Sequence, residues 1–302
     1  MTHNAGLFAN MSTAEYFADP APQPSLTQSL VKTLLDRSPL HAWYAHPRLN
    51  PDFMRDEDTK YDIGNIAHRL ILGRGRELVV LSDFDDWRKK EAQQARATAQ
   101  AEGRLAVLGK HYATADRMVR AAQEALERRD MPDIFGEDHG DAELCAIWQE
   151  GKTWCRQLMD WLSADRLTFA DYKTTLESAA PHALARKMVN DGWHIQAAMA
   201  ERALAKLDPS NIGRRRYLFV VQEAQLPYAL SVVELSETAL TMGRKQLDAG
   251  LKLWTRCLFT DYWPGYPLQT IVPEFPEWAE AQWLDREVNE FAPVLGNVLE
   301  AG

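Results

Sequence analysis

The spacing of apolar positions changes along the chain, and the changes divide it into stretches. Up to about residue 130 the chain reads as mainly helical, and where the pattern is clearest the apolar positions fall three to four apart, the period of an amphipathic helix. Ser25 precedes a helix running through Leu34 and Leu35, and Pro39 with Trp43 and Tyr44 marks a turn packed by aromatics. Tyr61 to Leu72 reads as a helix with Ile63, Ile66, Ala67, Leu70 and Ile71 on its apolar side. Residues 84–104, rich in charge, Gln and Ala, read as an exposed helix. The pattern returns over 113–128 through Met118, Ala121, Ala122 and Leu126.

The middle of the chain changes character. Ala142–Trp148, Thr153–Leu162 and Leu167–Tyr172 are short, partly apolar stretches separated by Gly151 and by Ala164-Asp165. That is the pattern of three antiparallel strands joined by hairpins. Helices are expected at Pro181–Asn190 and Trp193–Leu207, broken at Asp191-Gly192. Strands follow at Tyr217–Gln222 and Tyr228–Leu235, then a long helix over Ser236–Phe259 and a Pro- and Trp-rich end. Residues 1–24 carry Pro20, Pro22 and Pro24 without a sustained period and read as loosely ordered. The expected fold is therefore α/β of the α+β kind: a small mixed sheet flanked by helices, with a helical N-terminal extension. One domain is expected over 25–302, helical over about 25–130 and with its core over about 131–270.

Composition narrows the class. With 302 residues, 46% apolar and 25% charged, the chain reads as an ordinary globular protein. No apolar run is long enough for a membrane span. The first ten residues lack the basic start and apolar core of a secretory signal, so a cytoplasmic location is expected. Three cysteines, Cys145, Cys155 and Cys257, argue against a disulfide framework and against an iron–sulfur cluster held by four thiolates. A net charge of −9 gives no general attraction for a polyanion. A metal-dependent nuclease nevertheless concentrates carboxylates at its centre, with cations needed only along the groove.

The residues that carry chemistry are Asp160, Asp171 and Lys173. Asp160 ends or bends one strand and Asp171 lies on the next. Adjacent strands sit about 4.8 Å apart, so the two carboxylates can converge. Positions 171 and 173 project from the same face of a strand. Two carboxylates suit Mg²⁺, which takes one or two of them and fills its shell with water and phosphate oxygens. An ammonium beside them can stabilise charge developing on a phosphate. The main-chain carbonyl of Tyr172 is a further candidate metal ligand. His68, one helical turn after Gly64, is a candidate ligand or phosphate contact. Gln196 is a candidate for holding substrate or a site water, and Glu143 for a further acidic ligand.

Taken in order, Gly64-x-x-x-His68, Arg156-x-x-x-Asp160, Asp171-Tyr172-Lys173-Thr174-Thr175 and Gly192-Trp193-His194-x-Gln196 resemble the RecB-type branch of the PD-(D/E)XK nucleases. The likeness is closest to the exodeoxyribonuclease VIII (RecE-type) domain of phages and prophages. Ser25–Leu30, Ser38-Pro39-x-x-Ala42-Trp43 and Trp263-Pro264-Gly265-Tyr266 resemble that group's opening and closing segments. The chain departs from it in Gln157-Leu158-Met159, less basic than usual, and in Asp171, where many relatives carry Glu.

The resemblance implies 5′-to-3′ digestion of linear double-stranded DNA with Mg²⁺, for which Mn²⁺ would substitute. It implies catalytic roles for His68, Asp160, Asp171 and Lys173 with Gln196 in support. It also implies a homo-oligomer and a single-strand annealing (RecT-type) partner in the host cytoplasm. Candidates for the DNA groove are Arg69, Arg74, Arg186, Lys187, Arg214, Arg215 and Arg216, with Arg76, Lys89 and Lys90. Two other readings stay open: a Cas4- or RecB-like repair nuclease or endonuclease, and a catalytically idle DNA-binding phage protein.

Overall fold

The computed structural model describes residues 2–54 and 63–291. Contacts gather Met1–Gly265 into one compact unit and Tyr266–Gly302 into another. The first unit opens with β1 (Gly6–Phe8), α1 (Thr13–Phe17), α2 (Gln28–Asp36) and α3 (Pro39–Tyr44). Next come α4 (Ile63–Leu72), β2 (Leu78–Leu81), α5 (Lys90–Ala101), β3 (Leu105–Leu108) and α6 (Gly109–Glu127). Then follow β4 (Gly140–Glu150), β5 (Thr153–Ser163), β6 (Thr168–Thr175), α7 (Pro181–Asp191), α8 (Trp193–Leu207), β7 (Arg216–Glu223), β8 (Leu230–Glu234) and α9 (Glu237–Thr260).

Six strands form one mixed sheet in the order β1-β4-β5-β6-β7-β8. The three expected hairpin strands are there: β4, β5 and β6 pair antiparallel, with Leu144 opposite Met159 and Trp161 opposite Ala170. β7 runs parallel to β6, with Phe219 beside Asp171. A parallel neighbour requires a crossover connection, and α7 and α8 supply it. They join at Gly192, whose φ of 76° is a left-handed turn that suits glycine.

Helices cover both faces of the sheet. On one, α2, α8 and α9 bury a core holding Val31, Trp148, Trp193, Phe219 and Trp254. On the other, α4 and α6 pack Ile66 and Met118 against Trp161, Tyr172 and Val220. α4 approaches β6 so closely that a Cβ at Gly64 would lie within 3.1 Å of the Thr174 Cβ. This observed α/β architecture, a mixed sheet flanked by helices, agrees with the fold expected from the sequence.

Several local expectations are corrected. The 1–24 segment, expected to be loosely ordered, is fixed in its described residues 2–24: β1 pairs with β4, and Met11 and Tyr16 are buried with Cys145 and Ile147. The buried Asp19 carboxylate ties this segment to β5 through Arg156 Nη1 at 2.8 Å. Ser25 serves that knot, its Oγ donating to Asp19 at 2.5 Å, so the cap of α2 is Thr27. The 84–104 helix is the shorter α5, and β2 and β3 form a parallel pair the pattern did not reveal. β6 extends past Tyr172 to Thr175 and so includes Lys173. Tyr61, expected to open α4, lies outside the described residues.

The second unit contains α10 (Glu277–Arg286) and a π-helical turn, Glu287–Phe291, and none of its described residues is buried. Among the described residues no helix is long and apolar enough to cross a membrane.

Candidate active site

Side chains alternate between the two faces of a strand. On β5 that alternation slips by one at Asp160. Met159 and Leu162 pack into the α8-side core, whereas Trp161 packs into the α4-side core. β4 slips at the residue across the ladder. Leu144, Ala146 and Trp148 face the α8 side, Ala142 packs on the α4 side, and Glu143 between them has φ 50°. The ladder keeps its register through the kink, with Ala142 opposite Trp161 and Leu144 opposite Met159. Such local breaks re-aim side chains, and they recur beside active sites.

The break turns the Asp160 carboxylate toward β6. The described pairing of β5 with β6 covers Trp161 and Leu162 only. Beyond it the Tyr172 N–H donates to Asp160 Oδ2 at 3.0 Å. A strand residue's N–H and C=O point toward the same neighbour, so the Tyr172 carbonyl faces this opening too. The Tyr172 ring lies on the opposite face and donates its hydroxyl to Gln222 Oε1.

Asp171, fully buried, is held by two other side chains. Gln196 Nε2, on the buried α8, donates to Oδ2. Lys173 Nζ forms a close ion pair with Oδ1, at 2.5 Å. On the other side His68 Nε2 lies 3.0 Å from Asp160 Oδ2. The structure thus brings together Asp160, Asp171, Lys173, His68 and Gln196. Gln157, which the sequence pattern did not single out, donates to the Gln196 carbonyl at 3.1 Å and anchors that turn of α8.

The two carboxylates titrate in opposite directions. Burial raises the Asp171 pKa and repulsion from Asp160 adds to it; Lys173 offsets them in part, and the result is about 6. Burial also works against ionisation of Asp160. There the charge and hydrogen bond of His68, together with Lys173 and the Tyr172 N–H, bring its pKa below the ordinary value. Burial disfavours the charged forms of His68 and Lys173, but attraction to the carboxylates raises both pKa values. Glu143 is pushed upward by burial, with His68 opposing and Asp160 reinforcing the shift.

Among the described residues, no group of three or more His, Cys, Asp or Glu side chains is placed to hold a metal ion. His68 and Glu143 therefore do not join Asp160 and Asp171 in a cage of side chains. The pair alone remains compatible with Mg²⁺, which commonly takes one or two carboxylates and keeps several waters.

The candidate groove residues divide. Arg69 donates from Nε to the Arg76 carbonyl at 3.0 Å, and Arg74 Nη1 reaches Asn10 Oδ1 at 3.4 Å, both beside Glu143. Arg186 is exposed on α7, as are Lys89 and Lys90 at the start of α5. Lys187 pairs with Asp191 at 3.1 Å. Arg214 lies in the turn before β7, with Nη1 donating to Asn211 Oδ1 at 3.5 Å. Arg215 and Arg216 do not present free cations to a ligand. The Arg215 guanidinium is buried against the Arg166 and Asp208 carbonyls, and Arg216 makes two bonds to Glu234, at 3.0 and 2.7 Å.

No family model and no curated protein matches the chain. Among solved structures, the crystal structure of a "putative exonuclease" from Eubacterium rectale superposes with a TM-score of 0.54. That match has 10% sequence identity and covers 90% of this chain and 98% of that chain. The crystal structure of SSO0001 covers 68% of this chain and 97% of that one at 11% identity, with a TM-score of 0.26 too low to bear on the fold. What the chain shares with the first structure is its fold.

Proposed function

We propose that the chain is a divalent-metal-dependent nuclease of the PD-(D/E)XK kind, hydrolysing phosphodiester bonds of DNA at Asp160, Asp171 and Lys173. One observation carries the reading. Two carboxylates, Asp160 partly and Asp171 fully buried, converge at a break in the sheet, and repulsion between them helps raise the Asp171 pKa even with the Lys173 ammonium beside Oδ1. Two like charges brought together in a site with little water are costly unless cations compensate them, and a hard cation adds to what Lys173 supplies. The donors fit Mg²⁺: Asp160 and Asp171 would hold it, with the Tyr172 carbonyl facing the same opening. When bound, the ion supplies Lewis-acid polarisation of the phosphate and a lowered pKa for its water.

The chain's own groups set the rest. Gln196 fixes Asp171 through Oδ2 and leaves Oδ1 turned to Lys173. His68 and the Tyr172 N–H fix Asp160 and keep it ionised. Lys173, held cationic by both carboxylates, is the group that steadies negative charge on the phosphate oxygens or orients the attacking water.

The finer reading rests on the sequence resemblance. In it the enzyme digests linear duplex DNA from the 5′ end with Mg²⁺ or Mn²⁺, as a homo-oligomer, beside an annealing protein of the RecT type in the cytoplasm of a phage's bacterial host. The test offers linear and covalently closed duplexes with Mg²⁺. Release of mononucleotides from the linear form alone is expected. Cutting of the closed circle overturns the exonuclease assignment and leaves an endonuclease.

A further inference from the structure

Glu143 belongs to two places. It stands across the ladder from Asp160, and it also lines a cleft of about 710 Å³. The cleft's main walls are two loops. One, Ala9–Ala14, runs from β1 into α1; the other, Gly73–Arg76, follows α4, the helix that carries His68. Arg74 spans them by reaching Asn10 at 3.4 Å. The second loop is seated on the site's own residues. A Cβ at Gly75 would lie 2.9 Å from Arg69 Cδ and 3.7 Å from Glu143 Oε1. Arg69 and Arg74 are thereby gathered beside Glu143, with Arg76 lining the same cleft, in a chain whose net charge is −9.

This placement has a chemical consequence. An acidic centre repels a polyanion, so cations must line the approach to it. The volume is that of a site enclosing one small-molecule-sized ligand, which admits a short single strand and not a duplex. Among the described residues no aromatic side chain lines the cleft, and its arginines suit the phosphate backbone.

We propose that this cleft is the track for one strand of the substrate, taking a short single-stranded stretch of DNA by its phosphates through Arg74 and Arg76 and leading it past Glu143 to Asp160 and Asp171. The assignment rests on the nuclease reading above and adds the path of the strand.

The test is fluorescence anisotropy of a fluorescein-labelled single-stranded dT12 on the full chain, with Ca²⁺ in place of Mg²⁺. Arg74→Glu with Arg76→Glu weakens binding about tenfold or more, and the slope of log affinity against log salt falls by about 1.4, the share of two single-strand phosphates. Arg117→Glu on α6 with Arg128→Glu at its C-cap, both exposed and away from the cleft, binds dT12 as wild type does. The assignment is overturned if the cleft pair binds dT12 as tightly as wild type, or if blunt duplex of equal length binds as tightly as dT12. A separate arm follows hydrolysis of the 4-nitrophenyl ester of thymidine 5′-phosphate by wild type with Mg²⁺ or Mn²⁺. Silence there overturns the nuclease reading itself, whereas turnover together with unchanged dT12 binding by the cleft pair overturns only the track.

Discussion

Arg156 and Asp160 lie four residues apart on β5. Each belongs to a charged cluster, the first fully buried and the second partly open, and the two are built on opposite plans. Around Arg156 every oxygen of Asp19 is taken. Oδ1 meets Ser25 Oγ and Arg156 Nη1, and Oδ2 meets the Ser25 N–H and His46 Nε2. Burial works against the Asp19 charge, but His46, Arg156 and Ser25 together hold its pKa below the ordinary value. Around Asp160 two carboxylates are held together. Asp171 has the Lys173 ammonium at one oxygen and the neutral Gln196 amide at the other, and with burial and repulsion from Asp160 its pKa rises to about 6. A saturated buried cluster fixes structure. One that holds like charges together stores unfavourable electrostatics that a ligand can relieve, which is why perturbed carboxylates mark candidate sites.

Substitutions separate the two plans. The largest effect is on chemistry. Asp160→Ala and Asp171→Ala lower Mg²⁺-dependent nucleotide release on the order of 10²–10³-fold or more, with circular dichroism unchanged. Arg156→Met leaves no such signature in any fraction that stays folded. Its effect is on stability, since removing one partner of a buried ion pair costs about 3–5 kcal/mol, read by urea unfolding. Asp171→Asn moves stability the other way or leaves it unchanged. If it destabilises as much as Arg156→Met does, the two clusters are alike and the contrast fails.

The pH dependence has opposite signs as well. The depressed pKa of Asp19 gives stability that is present above its ordinary value of 3.8 and lost as pH falls through the folded value. The raised pKa of Asp171 gives stability that is full below 3.8 and lost as pH rises toward about 6. Without divalent metal, the stability advantage of Asp171→Asn over wild type should therefore grow between pH 4 and 6, by about 1–3 kcal/mol. A flat difference across that range contradicts the assigned shift.

Much of this was legible in the sequence, and the rest was hidden for physical reasons. The strands over 140–175 announced themselves by apolar stretches and turn residues, and Asp171-x-Lys173 by its spacing. The slip at Glu143 and Asp160 was not visible, because a residue at φ 50° carries no mark when it is not glycine. The knot of Asp19 joins residues 137 positions apart, beyond the reach of local pattern. The prolines near it suggested disorder, whereas burial and ion pairing fix the segment. Arg215 and Arg216 looked like groove cations because charge alone does not reveal an intramolecular partner.

Smaller changes sharpen the comparison. Gly64→Ala forces α4 away from Thr174 and costs about 1–3 kcal/mol by overpacking. Because α4 carries His68, nucleotide release should fall further than the stability loss explains. The least effect is expected from Arg216→Ala, which removes an exposed pair to Glu234 and should change stability by less than about 1 kcal/mol.

The most direct measurement follows acid-soluble nucleotide release from linear duplex DNA with Mg²⁺, by wild type and by Lys173→Ala of equal folded content. Wild type should release nucleotides and Lys173→Ala almost none, while both retain the DNA. Equal release by the two proteins, or none from wild type with either Mg²⁺ or Mn²⁺, would contradict a phosphodiesterase site at Asp160, Asp171 and Lys173.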